Sequence, residues 1–131
     1  MKELASFCLT EFLTRFYHCY DGFIRYVEVD FRAKKVKVSL STQDKETREN
    51  EGWTNLIMEV KDVSEIILIE DRASCAVLSS GIQIGFFNDE VYLDFCPYTG
   101  EPDGIDDFKK SRFMVAGRKC FWSVIPFGDS P

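Results

Sequence analysis

Hydrophobic and polar residues alternate with a period of two along most of this chain, most clearly from Gly81 to Phe95. There Ile82, Ile84, Phe86, Val91, Leu93 and Phe95 flank Asn88-Asp89. A two-residue period marks a strand with one buried face, and an Asn-Asp pair accepts the positive φ of a tight turn, so this segment predicts a β-hairpin. The period is helical only near the start. Ala5, Cys8, Leu9, Phe12, Leu13 and Phe16 recur at three- and four-residue intervals, with Glu11 and Arg15 on the other side. That spacing predicts an amphipathic helix from about Leu4 to Tyr17, with Asp21-Gly22 releasing the chain through a left-handed glycine.

Further strands follow. Val27, Val29 and Phe31 share one face, Val36, Val38 and Leu40 another, and Arg32-Ala33-Lys34 forms the turn between them. Glu28 and Asp30 then fall near Lys35 and Lys37 across the pair. Ser41 to Gly52 is almost wholly polar and reads as a solvated, mobile loop. Trp53–Val60 and Val63–Ile69 read as two strands split by a Lys61-Asp62 turn, with Ile66 to Ile69 apolar on both faces and therefore covered. A short strand is expected over Ala76–Ser79, irregular chain from Pro97 to Gly104, and one helical turn over Ile105–Lys110. Arg112–Ala116 and a well-buried Lys119–Phe127 complete the set around a Gly117-Arg118 turn. The fold class expected is α+β, a single domain over residues 1–131. Its N-terminal helix packs on a twisted, mostly antiparallel sheet of about seven to nine strands that curls toward a partly closed barrel.

Composition refines this picture. With 45% hydrophobic residues and twelve phenylalanines in 131 residues, the chain is globular and its core rich in Phe. The net charge of −6, from 22 acidic and 16 basic residues, argues against unaided nucleic-acid binding, which depends on Lys and Arg displacing counterions. The N-terminus has no long apolar run, so neither a secretory signal nor a membrane helix is expected and the location read is cytoplasmic. Cys8, Cys19, Cys75, Cys96 and Cys120 are scattered without metal or redox spacing and read as free buried thiols.

Candidate chemistry is sparse. His18 is the sole imidazole, and a place at the helix terminus accounts for it better than catalysis. No Lys or Arg occurs between Ala73 and Phe108, whereas Asp89, Glu90, Asp94, Glu101, Asp103, Asp106 and Asp107 do, with Tyr98 among them. These eight residues form the expected partner-binding set, an electronegative surface that steers a basic protein. The Asp103, Asp106 and Asp107 cluster lacks the EF-hand loop pattern, so neither metal nor other cofactor is expected. Trp53 and Tyr92 read as core residues, whereas Tyr98, in a Pro/Gly loop, reads as more exposed.

Tyr20-Asp21-Gly22, the WTNLIMEV run from Trp53, the VLSSGIQI run from Val77, and Tyr92 to Phe95 give the chain a rhythm that resembles small uncharacterised bacterial β-sheet proteins, some of them grouped with toxin-immunity proteins. The resemblance covers about residues 20 to 95 and transfers no functional residue. Together with the lopsided charge and the lack of a catalytic set, it leads to the expectation of a small nonenzymatic cytosolic binding protein, an immunity-type inhibitor whose acidic surface blocks a basic toxin such as a nuclease. The alternatives are a small hydrolase with a carboxylate or metal centre near Asp94 and Asp103 to Asp107, and a structural homo-oligomeric subunit with an apolar sheet face.

Overall fold

The computed structural model describes residues 1–69, 76–97 and 102–128. Its elements are β1 (Lys2–Glu3), α1 (Leu9–Arg15), β2 (Gly22–Asp30), β3 (Lys35–Gln43), β4 (Trp53–Leu68), β5 (Val77–Leu78), β6 (Gln83–Phe87), β7 (Glu90–Asp94), α2 (Ile105–Lys109) and β8 (Phe113–Pro126). The strands form one antiparallel sheet in the order β5-β2-β3-β4-β8-β7-β6, with β1 also on β8, and the sheet curls into a half-barrel. This is the α+β architecture expected from the sequence.

The alternation of each strand decides which face enters the core. Val36, Val38 and Leu40 of β3 lie opposite Val60, Met58 and Leu56 of β4, which lie opposite Cys120, Trp122 and Val124 of β8. All six β3 and β4 side chains are at most 2% exposed. The helix closes this concave face, and Phe12 and Phe16 meet the edge of Trp122 at ring distances of 5.3 and 5.6 Å. A second cluster lies outside the sheet, where Phe108 of α2 packs with Phe87 and Tyr92 in mutual edge-on contact. Both layers are rich in aromatics because flat rings fill a pleated surface in staggered contacts.

Two predicted turns prove to be continuous strand. The chain does not reverse at Lys61-Asp62 or at Gly117-Arg118; β4 and β8 run through both and pair from Leu68↔Phe113 to Thr54↔Pro126. Between Val63↔Gly117 and Glu65↔Ala116 the register shifts by one residue, leaving Ser64 extra on β4, while Asp62 holds φ +53°. A bulge bends its strand and strengthens the local twist, which is what curls the sheet here. Polar residues and a glycine mark a bulge as readily as a turn, hence the misreading. Gly117 is needed for close approach, since a Cβ there meets Val60 Cγ1 at 2.6 Å and the Lys61 carbonyl at 2.8 Å.

The polar stretch after Ser41 is not a free loop. β3 continues to Gln43, and Asp44 is buried at 3% exposure. Arg15, in the last turn of α1, donates from Nε and Nη2 to Asp44 at 2.9 and 3.0 Å. The Glu46 N–H and Thr47 Oγ1 donate to the same carboxylate at 2.9 and 2.8 Å, and the Lys45 N–H donates to the Arg15 carbonyl at 3.0 Å. The loop is therefore clasped to the helix. Its many charged residues hide the one that is buried, because a paired carboxylate loses the usual penalty of leaving water.

Other expectations need smaller corrections. The helix is limited to Leu9–Arg15, preceded by a 3-10 turn at Ser6–Cys8, and Leu4 is instead held in extended chain by its N–H to the Cys120 carbonyl. Phe31 lies in the β2–β3 turn at 81% exposure rather than on the buried face. Leu68 and Ile69, expected to be covered, are each 52% exposed; among the described residues β3 pairs with β4 no further than Lys61, and beyond the bulge β8 alone is paired with it. The end of β8 is half-buried from Phe121 to Ile125. Glu28 and Asp30 do face Lys37 and Lys35, Asn88 and Asp89 carry φ +52° and +63°, and α2 occupies the expected helical turn.

Replacing Asp44 by Ala is expected to destabilise the protein by about 1 to 3 kcal/mol in urea unfolding at about pH 7, because it removes the acceptor of the Arg15, Glu46 and Thr47 bonds and leaves Arg15 only the exposed Glu46 carboxylate, 2.8 Å from its Nε. Burial pushes the Asp44 carboxyl up, but the bonds from Arg15, Glu46 and Thr47 outweigh this and hold it below its ordinary value. Its stabilisation is thus present above the ordinary carboxylate range of about 4 and is lost as pH falls through the lower folded value, so the wild-type advantage over Asp44→Ala shrinks on acidification below that range. A Gly117→Ala substitution is expected to cost about 2 to 4 kcal/mol in the same assay, whereas Gly104→Ala, with nothing within 4 Å of the added Cβ, stays within about 0.5 kcal/mol of wild type.

Candidate functional site

The chain leaves α1 through a strained turn. Tyr17, His18 and Cys19 adopt φ of +53°, +54° and +57°, and Asp21 adopts +60°. Left-handed backbone costs a non-glycine residue roughly 1 kcal/mol or more, and three in succession persist only where the surroundings fix them. Here Phe16 and Cys19 are both fully buried, so the chain must bring two inward side chains close together while reversing into β2. The Cys19 N–H donates to the Phe16 carbonyl at 2.8 Å and the Tyr20 N–H to the Tyr17 carbonyl at 3.0 Å. Gly22, the expected left-handed position, does not have positive φ; Asp21 before it does.

That turn is clamped to the β5–β6 connection. The Ile82 N–H donates to the His18 carbonyl at 2.9 Å, and the Asp21 N–H to the Leu78 carbonyl at 2.9 Å. Gly81 makes the approach possible, because a Cβ there meets the His18 carbonyl at 2.5 Å and the Tyr20 ring at 3.1 Å. The turn presents Tyr17 and Tyr20 at 45% and 51% exposure, with the His18 ring 5.8 Å from that of Tyr20 and Lys45 Nζ 5.1 Å from the Tyr17 centroid. His18 is thus a half-buried part of a turn beyond the helix.

Beside it opens a cleft of about 580 Å³. Ile24 and Val27 of β2, Leu68 and Ile69 at the end of β4, Val77 of β5 and Phe113 of β8 make its lining largely apolar; Ser79, Ser80, Cys96 and Arg112 add polar atoms. Leu68, Ile69 and Val77 are about half exposed, which is unusual for large aliphatic groups gathered around one concavity. The volume falls in the range of ordinary ligand and peptide sites.

The acidic residues are dispersed by their bonding. Asp94 is 3% exposed; burial pushes its carboxyl up, offset by bonds with Ser111 and the Cys96 N–H, so it faces the fold and not a partner. Glu90 accepts a hydrogen bond from Ser64 Oγ, and with Asp89 it lines a smaller cleft of about 490 Å³ that also holds Arg118 and Lys119. Asp107 accepts the Asp103 N–H at 2.8 Å and lies 3.7 Å from Lys110 Nζ. Asp89, Asp103 and Asp106 are exposed, whereas Tyr98 and Glu101 lie outside the described residues. Among the described residues no three His, Cys, Asp or Glu side chains gather as ligands for a cation. Tyr92 is core, and Trp53 is half-buried between Phe23 and Phe127, each at a ring distance of 6.1 Å.

The cysteines divide. Cys19 and Cys120 are buried, and desolvation pushes both thiols up to about 12, Cys120 with help from the charge of Glu59. Cys8 is half-buried and Cys96 exposed at the cleft, contrary to the expectation that all would be internal; Cys75 lies outside the described residues. No family model matches the chain, and no curated protein or solved structure is detectably similar to it. The site therefore rests on geometry alone.

The strain at His18 is measurable. Asn tolerates left-handed backbone and Val does not, so His18→Val is expected to be about 1 to 2 kcal/mol less stable than His18→Asn in denaturant unfolding. Equal stabilities would show that the turn relaxes freely.

Proposed function

We propose that this chain is a nonenzymatic binding protein, an inhibitor of the immunity type, that holds a basic protein partner at the apolar cleft. The observation that carries this reading is the half-exposed set Leu68, Ile69 and Val77 around the cleft. Such side chains add little to stability where they stand, yet become fully desolvated when a partner covers them, contributing about 1 to 2 kcal/mol each. Tyr17 and Tyr20, held outward by the clamped turn, extend the same surface with rigid amphipathic rings.

Charge then acts at longer range. With the internally bonded carboxylates set aside, Asp89, Asp103 and Asp106 are exposed on a chain of net charge −6, which favours encounter with a basic protein more than it adds to final affinity. Free thiols at Cys8, Cys19, Cys96 and Cys120 are in keeping with a cytoplasmic setting. No helix among the described residues is long and apolar enough to cross a membrane. The hydrolase alternative, a centre near Asp94 and Asp103 to Asp107, is less well supported, because Asp94 and Asp107 are engaged with backbone N–H groups of their own loops and Asp103 and Asp106 are exposed.

A photo-crosslinker at Ile69 in the living host is expected to trap a basic protein. Leu68→Asp combined with Val77→Asp should weaken binding of that purified protein about tenfold or more, mainly through faster dissociation. Neutralising Asp103 and Asp106 should slow association and reduce its salt dependence. A trapped protein that binds the Leu68/Val77 variant as tightly as wild type would overturn the reading.

A further inference from the structure

On the side away from β4, β8 is covered by two different strands with a notch between them. β1 pairs as far as Glu3↔Phe121, continued by the bond from the Leu4 N–H to the Cys120 carbonyl, and β7 begins at Val91↔Gly117. Among the described residues, no strand runs beside Arg118 and Lys119 on that side. The smaller cleft, of about 490 Å³, opens at this notch. Leu4, Val91 and Cys120, all buried, contribute its apolar lining, and the Asn88-Asp89-Glu90 tip of the β6–β7 hairpin borders it.

The charges around this cleft are of both signs and do not meet. Glu3 and Asp89 supply carboxylates, Arg118 and Lys119 supply cations, and all four residues are exposed. Among the described residues none of the four takes part in an ion pair. Glu90, the third carboxylate, is bonded to Ser64 Oγ on the bulge of β4. Opposite charges gathered around one concavity without pairing are complementary to a molecule that carries both.

We propose that this cleft binds a short zwitterionic peptide, a dipeptide, with its ammonium group toward Glu3 and Asp89 and its carboxylate toward Arg118 and Lys119. Arginine takes a carboxylate through two parallel donors, which sets the orientation. Charges that do not reach one another are bridged by something longer than a single amino acid. An extended residue spans about 3.3 to 3.6 Å, so the charged ends of a dipeptide lie roughly 6 to 7 Å apart. Its extended backbone suits a notch in which a further strand would continue the sheet. This cleft shares no lining residue with the one around Leu68, Ile69 and Val77, so the proposal stands apart from the partner-binding reading.

The probes are alanylalanine, phenylalanylalanine, lysylalanine and glutamylalanine, each titrated to about 10 mM against the intact protein while its backbone amide signals are followed by NMR. At least one is expected to bind and to move the signals of Glu3, Asp89, Arg118 and Lys119, with free alanine about tenfold weaker because it cannot span both sets of charges. N-acetylation or C-amidation of the bound dipeptide should each weaken it about tenfold. Glu3→Gln with Asp89→Asn should weaken the free dipeptide severalfold and leave its N-acetyl form unaffected, and Arg118→Gln with Lys119→Gln should do the same for the C-amide. All four positions are exposed and Asn accepts the φ of +63° at Asp89, so the variants keep the fold. No movement of these signals with any of the four dipeptides, capped dipeptides that bind as tightly as free ones, or alanine that binds as tightly as the best dipeptide would each overturn the assignment.

Discussion

The long antiparallel pair of β4 and β8 has to bend in its middle, and the rest of the molecule is arranged by that bend. The extra Ser64 on β4 and the absent side chain of Gly117 on β8 allow two strands to stay paired while their direction changes. Before the bulge β4 is flanked by β3, and beyond it the other edge of β8 carries β7, so the sheet acquires two arms, β2–β3 and β6–β7. The concave face between them receives the helix. The cleft lies where the end of β4 has parted from β3, which explains why aliphatic residues that a flat sheet would cover stand half exposed.

A second constraint works from the opposite end of the core. Phe12, Phe16 and Trp122 interlock, and the Arg15 guanidinium lies over both Phe16 and Trp122, with its carbon 4.9 and 5.2 Å from their ring centroids, while bonding Asp44. Apolar packing, cation–π contact and a partly buried ion pair therefore meet at one side chain, each strengthened by the low dielectric the others create. With the end of α1 so fixed, the chain has only a short path into β2, and the left-handed turn at Tyr17 to Cys19 follows from that shortness.

Features encoded within a few residues were legible in the sequence. The β6–β7 hairpin could be read because Asn88-Asp89 specify their own turn, and β2 with β3 because alternating valines and facing charges agree on one register. The amphipathic spacing located α1, although its ends moved inward. What escaped depended on distant partners. Asp44 is buried by an arginine 29 residues away, and nothing in a run of charged residues singles it out. The bulge escaped because Lys61-Asp62 looks the same in a bend as in a reversal. The turn at Tyr17, His18 and Cys19 escaped because, although His accepts positive φ better than most residues, Tyr and Cys do not, and three such residues in succession have no local signature. The bonding within the acidic set was hidden for a related reason: composition counts carboxylates, whereas Asp94, Glu90 and Asp107 have hydrogen-bond donors that only the fold supplies.

The shortness of α1 has a consequence for how the protein comes apart. Seven residues are too few for a helix to persist alone in water, so this one exists because the sheet and the Asp44 clasp hold it. Undocking it would unravel it, free the 44–49 segment and open the inner face to solvent in the same event. Helix, clasp and sheet thus melt as one cooperative unit, with no half-open form in which the helix swings away intact.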